Sequence, residues 1–78
     1  MLVDYHPESD MLYIRLQSQP STDSEEISPG IVLDYNANNQ VVGIEIEDAS
    51  HKVDLTRLEF KSMPLENLVL NQTTHALV

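Results

Sequence analysis

Between Ser28 and Asp48 the chain reads SPGIVLDYNANNQVVGIEIED, and no other stretch restricts the fold as much. Ile31, Leu33 and Tyr35 alternate with Val32 and Asp34, and Val42, Ile44 and Ile46 alternate with Val41, Gly43, Glu45 and Glu47. That period belongs to strands with one buried face. Asn36-Ala37-Asn38-Asn39 lies between them, and asparagine is the residue that, after glycine, best accepts the left-handed backbone of a tight turn. The stretch is read as a hairpin, and parity restricts its register. A two-residue turn at Asn38-Asn39 sets Leu33 against Ile44 and Ile31 against Ile46; a four-residue loop over 36–39 sets Leu33 against Val42 and Ile31 against Ile44. Both keep one apolar face. A three-residue loop would set Leu33 against Gly43 and turn one strand's apolar side chains to water, so it is rejected.

A second hairpin precedes this one. Leu2 to His6 and Met11 to Gln17 are strands around the turn Pro7-Glu8-Ser9-Asp10, which pairs Tyr5 with Leu12 and Val3 with Ile14. Ser18 to Ser24 is polar, contains Pro20 and reads as a loop. Glu25 to Ser28 is extended again, with Ile27 facing inward as Ile31 does, until Pro29-Gly30 breaks the run into two segments. The expected fold is mainly β (α+β), an antiparallel meander of about four strands. Its apolar face holds Val3, Tyr5, Leu12, Ile14, Leu16, Ile27, Ile31, Leu33, Tyr35, Val42, Ile44 and Ile46.

Such a face needs a cover, and residues 48–78 are the remaining material. Asp48 to Lys52 suits a short helical turn. Asp54 to Phe60 and Pro64 to Leu70 then share one leucine pattern ten residues apart. Turn-then-strand units are favoured; two short helices, the second capped by Ser62, are the alternative. At 78 residues the chain is one small domain, with a core over about 4–52, a cover segment over about 53–72 and a tail at 73–78.

Charge sorts the functional classes. The formal net charge is −9, and residues 1–50 hold ten acids against one base, Arg15, while 51–78 balance. Nucleic acid and anionic membrane surfaces are disfavoured, because their binders normally present a basic patch. A small basic protein partner is compatible, and solubility alone also accounts for an acidic surface. With no cysteine there is no disulfide framework and no thiolate chemistry. The start Met-Leu-Val-Asp-Tyr-His-Pro-Glu has no secretory pattern, and no apolar run spans a membrane, so a cytoplasmic location is expected and the sequon Asn71-Gln72-Thr73 has no expected use.

Three blocks carry a family resemblance: Asp4-Tyr5-His6-Pro7-Glu8-Ser9-Asp10-Met11-Leu12-Tyr13-Ile14-Arg15-Leu16, Glu26-Ile27-Ser28-Pro29-Gly30-Ile31-Val32-Leu33-Asp34-Tyr35, and Val42-Gly43-Ile44-Glu45-Ile46-Glu47-Asp48-Ala49-Ser50. In this order and spacing they resemble the small bacterial family catalogued as domain of unknown function 2283. The resemblance covers residues 4 to about 52. It implies a compact single-domain prokaryotic protein, and because members are sometimes encoded beside a small toxin-like protein it implies an antitoxin-like role. The family supplies no established catalytic residues to carry over. Where its hairpin turn usually has an acid followed by glycine, this chain has Asn38-Asn39, which turn chemistry allows.

The candidate sites are weighed against plainer uses. Asp34, Glu45, Glu47 and Asp48 are the best set for a hard cation, but no ligand loop with its glycine and bidentate glutamate accompanies them, and a solvated acidic face is the ordinary use. An acid–base pair from the same groups needs a pocket that a small sheet does not offer. His6, His51 and His75 have no metal-ligand spacing, and Ser50-His51 is not a nucleophile–base pair by adjacency alone. No catalytic residue, metal ligand or cofactor is assigned. Gly43, amid bulky strand residues, marks a bulge, the close approach of another backbone, or a notch on the outer face flanked by Val41, Val32 and Tyr13, and Tyr13, Arg15, Val41, Gly43 and Glu45 form the candidate interface.

The functional expectation is a non-enzymatic acidic interaction module, antitoxin-like, working as a homodimer. Small metal-binding protein or enzyme at the Asp34/Glu45 face, and purely structural subunit, are the alternatives. Dimerisation is expected because the apolar face outnumbers the cover that the C-terminal segment clearly offers.

Overall fold

The first hairpin has the expected register. In the computed structural model, which describes residues 1–57, 59 and 61, strand β1 (Leu2–His6) pairs with β2 (Met11–Arg15) so that Val3 faces Ile14 and Tyr5 faces Leu12. Three further strands follow, β3 (Asp23–Ser28), β4 (Ile31–Tyr35) and β5 (Val41–Ile46), and the five form one antiparallel sheet in the order β1, β2, β5, β4, β3.

That order departs from a simple meander. Residues 16–22 carry the chain from β2 across to the far edge, and β5 returns to the middle beside β2. Hydrophobic pattern explains the choice. Ile44 and Ile46 meet Ile14 and Leu12 on one side and Leu33 and Ile31 on the other, which suits a central strand. Asp23-Ser-Glu-Glu-Ile-Ser28 offers no such alternation and takes an edge, exposed throughout.

The second hairpin corrects the parity argument. Leu33 does face Ile44 and Ile31 faces Ile46. The loop, however, is the rejected three-residue one: Tyr35 pairs with Val41, Asn36 N–H donates to Gln40 O at 2.9 Å, and Ala37, Asn38 and Asn39 turn between them, with Asn39 at φ 59°. A bulge then places Val42 as an extra residue before Asp34 meets Gly43, restoring the parity that the loop had broken. Asn36, 5% exposed, organises the loop, its Oδ1 accepting the N–H groups of Asn38 and Gln40 at 3.0 Å each.

A second bulge corrects the placement of Ile27. Glu26 pairs with Val32 and Ser28 with Ile31, which leaves Ile27 unpaired and 52% exposed. Pro29-Gly30 closes the β3–β4 turn, and Gly30 has the positive φ of 77° that such a turn needs.

Val42, 2% exposed, is buried near the start of β5, and a core cluster forms around that strand's other end. Leu12, Ile46 and Ala49 are buried there, with Tyr5, Ile14, Ile44, Val53 and Leu55 packed around them. Full burial of a leucine or isoleucine side chain contributes about 1.5–3 kcal/mol. Ala49 starts the expected helical turn, a 3₁₀ turn over Ala49–His51, and with Val53 and Leu55 it forms the described part of the cover. Val3, Leu16 and Ile27, counted as inward-facing in the sequence, are more than a third exposed. The question of strands or helices over 54–70, the Ser62 cap, His75 and the tail at 73–78 lie outside the described residues, apart from 54–57, 59 and 61.

Candidate functional site

Register alone lays out the outer face. One row across the sheet is Asp4, Tyr13, Glu45, Val32 and Glu26; the next is Leu2, Arg15, Gly43, Asp34 and Ser24. Four of the five interface candidates, Tyr13, Arg15, Gly43 and Glu45, are therefore neighbours on β2 and β5. Val41 is not among them, because the bulge at Val42 carries it out of these rows to a place opposite Tyr35.

At Gly43 it is a side chain, not another backbone, that comes close. The Tyr13 ring lies against it: a Cβ there would overlap the Tyr13 hydroxyl and stand 2.9 Å from Cζ. Arg15, on the same strand, has its guanidinium 5.9 Å from the centre of that ring, within cation–π range. Beside this aromatic patch the face is anionic. Asp34 is 4% exposed and accepts a hydrogen bond from Ser24 Oγ at 2.6 Å. Glu45, one strand over, has its pKa raised above the ordinary 4.5, first by its hydrogen-bonding relation to Asp34, then by desolvation and by the charges of Asp34 and Glu47. Carboxylates crowded in this way favour a shared proton or an incoming cation.

Asp48 leaves that set. It turns away after β5 with φ 54° and meets His51, whose Nδ1 lies 3.0 Å from Asp48 Oδ1. Asp10 joins them, the three offering ligand atoms within 4.8 Å of one another. This grouping was not visible in the sequence, where Asp10 was only a turn residue. Its one local signal is aspartate's tolerance of the left-handed region, and Asp10 does adopt φ 52°.

The Asp10 carboxylate has structural work. It accepts Tyr5 Oη at 2.7 Å, Ser50 N–H at 3.0 Å and Ser50 Oγ at 2.7 Å, while the Asp10 carbonyl accepts Ala49 N–H at 2.9 Å. Asp48, at the head of the 3₁₀ turn, makes no side-chain capping bond, so Asp10 satisfies the turn's donors from another part of the chain. These bonds hold the Asp10 pKa below its ordinary 3.8, Ser50 being the largest influence and Tyr5 the next, and raise that of Tyr5. The result is a latch that ties the β1–β2 turn to the cover.

Ser50, His51 and Asp48 do not make a relay. Ser50 Oγ lies 3.4 Å and Asp48 Oδ1 3.0 Å from the same ring nitrogen, Nδ1. A nucleophile and an orienting acid need the two different nitrogens of the imidazole. His6 pairs with Asp4 at 3.2 Å on the exposed first strand.

No curated protein and no solved structure matches this chain significantly. The family model described as "Protein of unknown function (DUF2283)" matches residues 2–50, the whole five-stranded sheet together with the Asp10–Ser50 latch, and the chain belongs to that family.

Proposed function

We propose that this chain is a non-enzymatic interaction module that receives a small basic protein on the outer face of its sheet, in an antitoxin-like manner. The observation that supports this reading best is the crowding of Asp34, Glu45 and Glu47 beside the Tyr13–Arg15 patch. Asp34 and Glu47 raise the cost of ionising Glu45, and a lysine or arginine brought by a partner offsets that cost. An aromatic ring with an adjacent guanidinium supplies the residue types that concentrate binding energy in interfaces. Long-range attraction from a net charge of −9 speeds the encounter and weakens with salt. Among the described residues no helix is long and apolar enough to cross a membrane.

The test is a tagged pull-down from native lysate at low salt with a high-salt wash, run in parallel with a Glu45→Lys variant and read by mass spectrometry. One small basic protein that leaves in salt, and that Glu45→Lys fails to capture, is the expected result. Equal capture by both proteins, or capture unaffected by salt, counts against the reading. A rise in melting temperature on adding calcium or magnesium would instead move the Asp34/Glu45 face toward a cation-binding role.

A further inference from the structure

We propose that β1 is the contact edge of a symmetric homodimer, pairing antiparallel with β1 of a second copy about a two-fold axis at Val3, so that one sheet runs through both chains. The inference does not rest on the basic partner, since the pairing uses the backbone of the sheet's edge; Arg15, on the outer face, is shared with that reading, while Val3 is not.

The two edges differ. At β3 a bulge displaces Ile27, and Asp23, Glu25 and Glu26 bring three negative charges, devices that keep an open strand from pairing. At β1 there is no bulge, and Leu2 and Val3 are 50% and 43% exposed. Its only carboxylate, Asp4, already meets His6 through Oδ2.

Backbone direction identifies the groups of β1 that have no partner among the described residues. Leu16 N–H donates to Val42 O at 2.8 Å, so even-numbered residues of β2 turn their backbone groups to β5 and odd-numbered ones turn theirs to β1. The partners of the odd-numbered residues are Leu2, Asp4 and His6, which leaves the N–H and C=O of Val3 and Tyr5 pointing outward. Keeping like faces together requires a residue of β1 to sit on the axis. An axis at Tyr5 puts Pro7, which has no N–H, opposite Val3, and an axis at Asp4 sets that carboxylate against its own copy. Val3 avoids both faults and covers its exposed side chain with its counterpart.

Charge supports the same register. With the axis at Val3, Leu2 faces Asp4 of the second copy, and Arg15 is the next residue in that row. Two strand spacings separate Arg15 from that Asp4, about 10 Å between backbones, which the two side chains can span.

The purified full chain is examined by sedimentation velocity over a concentration series, with folding followed by far-UV circular dichroism. The expected result is a dimer whose dissociation constant rises at least about tenfold in Val3→Lys and in Arg15→Asp, and recovers in the swap Arg15→Asp/Asp4→Arg. The chain has no cysteine, so single-cysteine variants give a second readout that does not depend on how Val3→Lys folds. Val3→Cys should oxidise to a covalent dimer and Glu26→Cys, on the far edge, should not. A monomer at every concentration, a dimer indifferent to Val3→Lys and to the charge swap, or equal cross-linking at both edges would overturn the proposal.

Discussion

On the inner face the row Val3, Ile14, Ile44, Leu33 is apolar from β1 to β4, while on the outer face the row Asp4, Tyr13, Glu45, Val32, Glu26 places a carboxylate on every second strand. The same strands build both rows, yet the inner one lowers the free energy of the fold and the outer one holds like charges together. Stability therefore lives on one side of the sheet, and the proposed function assigns recognition to the other. The contrast predicts that substitutions on the two faces differ in magnitude and in one case in sign.

The largest effect is expected from Ile44→Asp. It puts a charge between Ile14 and Leu33, with no cation beside it in the row, and should cost about 3–5 kcal/mol in urea unfolding. A variant that keeps its urea midpoint would refute the assignment of the inner face. Gly43→Val comes next, at about 1–3 kcal/mol, because the new side chain displaces the Tyr13 ring and separates it from Arg15. Near-UV circular dichroism, dominated by the three tyrosines in a chain without tryptophan, should report the displaced ring directly.

Asp10→Ala opens the latch and lowers the melting temperature. Its pH dependence is the sharper readout. The folded-state pKa of Asp10 lies below 3.8, so the unfolded chain takes the proton first; the stabilisation is complete above pH 3.8 and is lost as pH falls through the lower folded value. Wild type should lose this contribution in acid, and Asp10→Ala should have a shallower acid limb. Tyr5 works in the opposite direction. With its pKa raised above 10.0, its bond to Asp10 contributes fully below that pH and is lost as pH rises through the raised value.

The smallest effect has the reverse sign. Glu45 binds its proton more tightly in the folded chain than its ordinary 4.5 allows, so lowering the pH from neutral through the raised value toward 4.5 should increase stability. Asp10 acts in the opposite sense at lower pH, so the joint contribution of these two groups is most favourable in mild acid. Glu45→Gln should raise the neutral-pH stability by less than about 1 kcal/mol, because Glu45 is only half-buried, and should flatten the profile above pH 4.5. A Glu45→Gln protein less stable than wild type at pH 7 would mean that the acidic face is not under repulsion.

How far these features were legible in the chain differs from one to the next. Tyr13, Arg15, Gly43 and Glu45 could be grouped because strand alternation assigns each to a face without knowledge of the neighbours. Val41 was misplaced, and the loop length with it, since a bulge adds a residue without changing the apolar pattern on which parity arguments rest. Ile27 was misplaced for the same reason at the other edge. Asp10 and Ser50 are forty positions apart, and nothing in their local composition announces that they meet.

The sequence by itself determined the strands of the two hairpins, the first hairpin's register, the break at Pro29-Gly30 and the helical turn after β5, because each follows from backbone preferences and a two-residue period acting over a few positions. Only the tertiary structure decided that β5 lies between β2 and β4, that two bulges correct the register, and that Asp10 caps a turn from across the molecule. Those outcomes depend on which apolar surfaces can be buried together and on which backbone groups remain to be satisfied once they are, and both are properties of the assembled sheet.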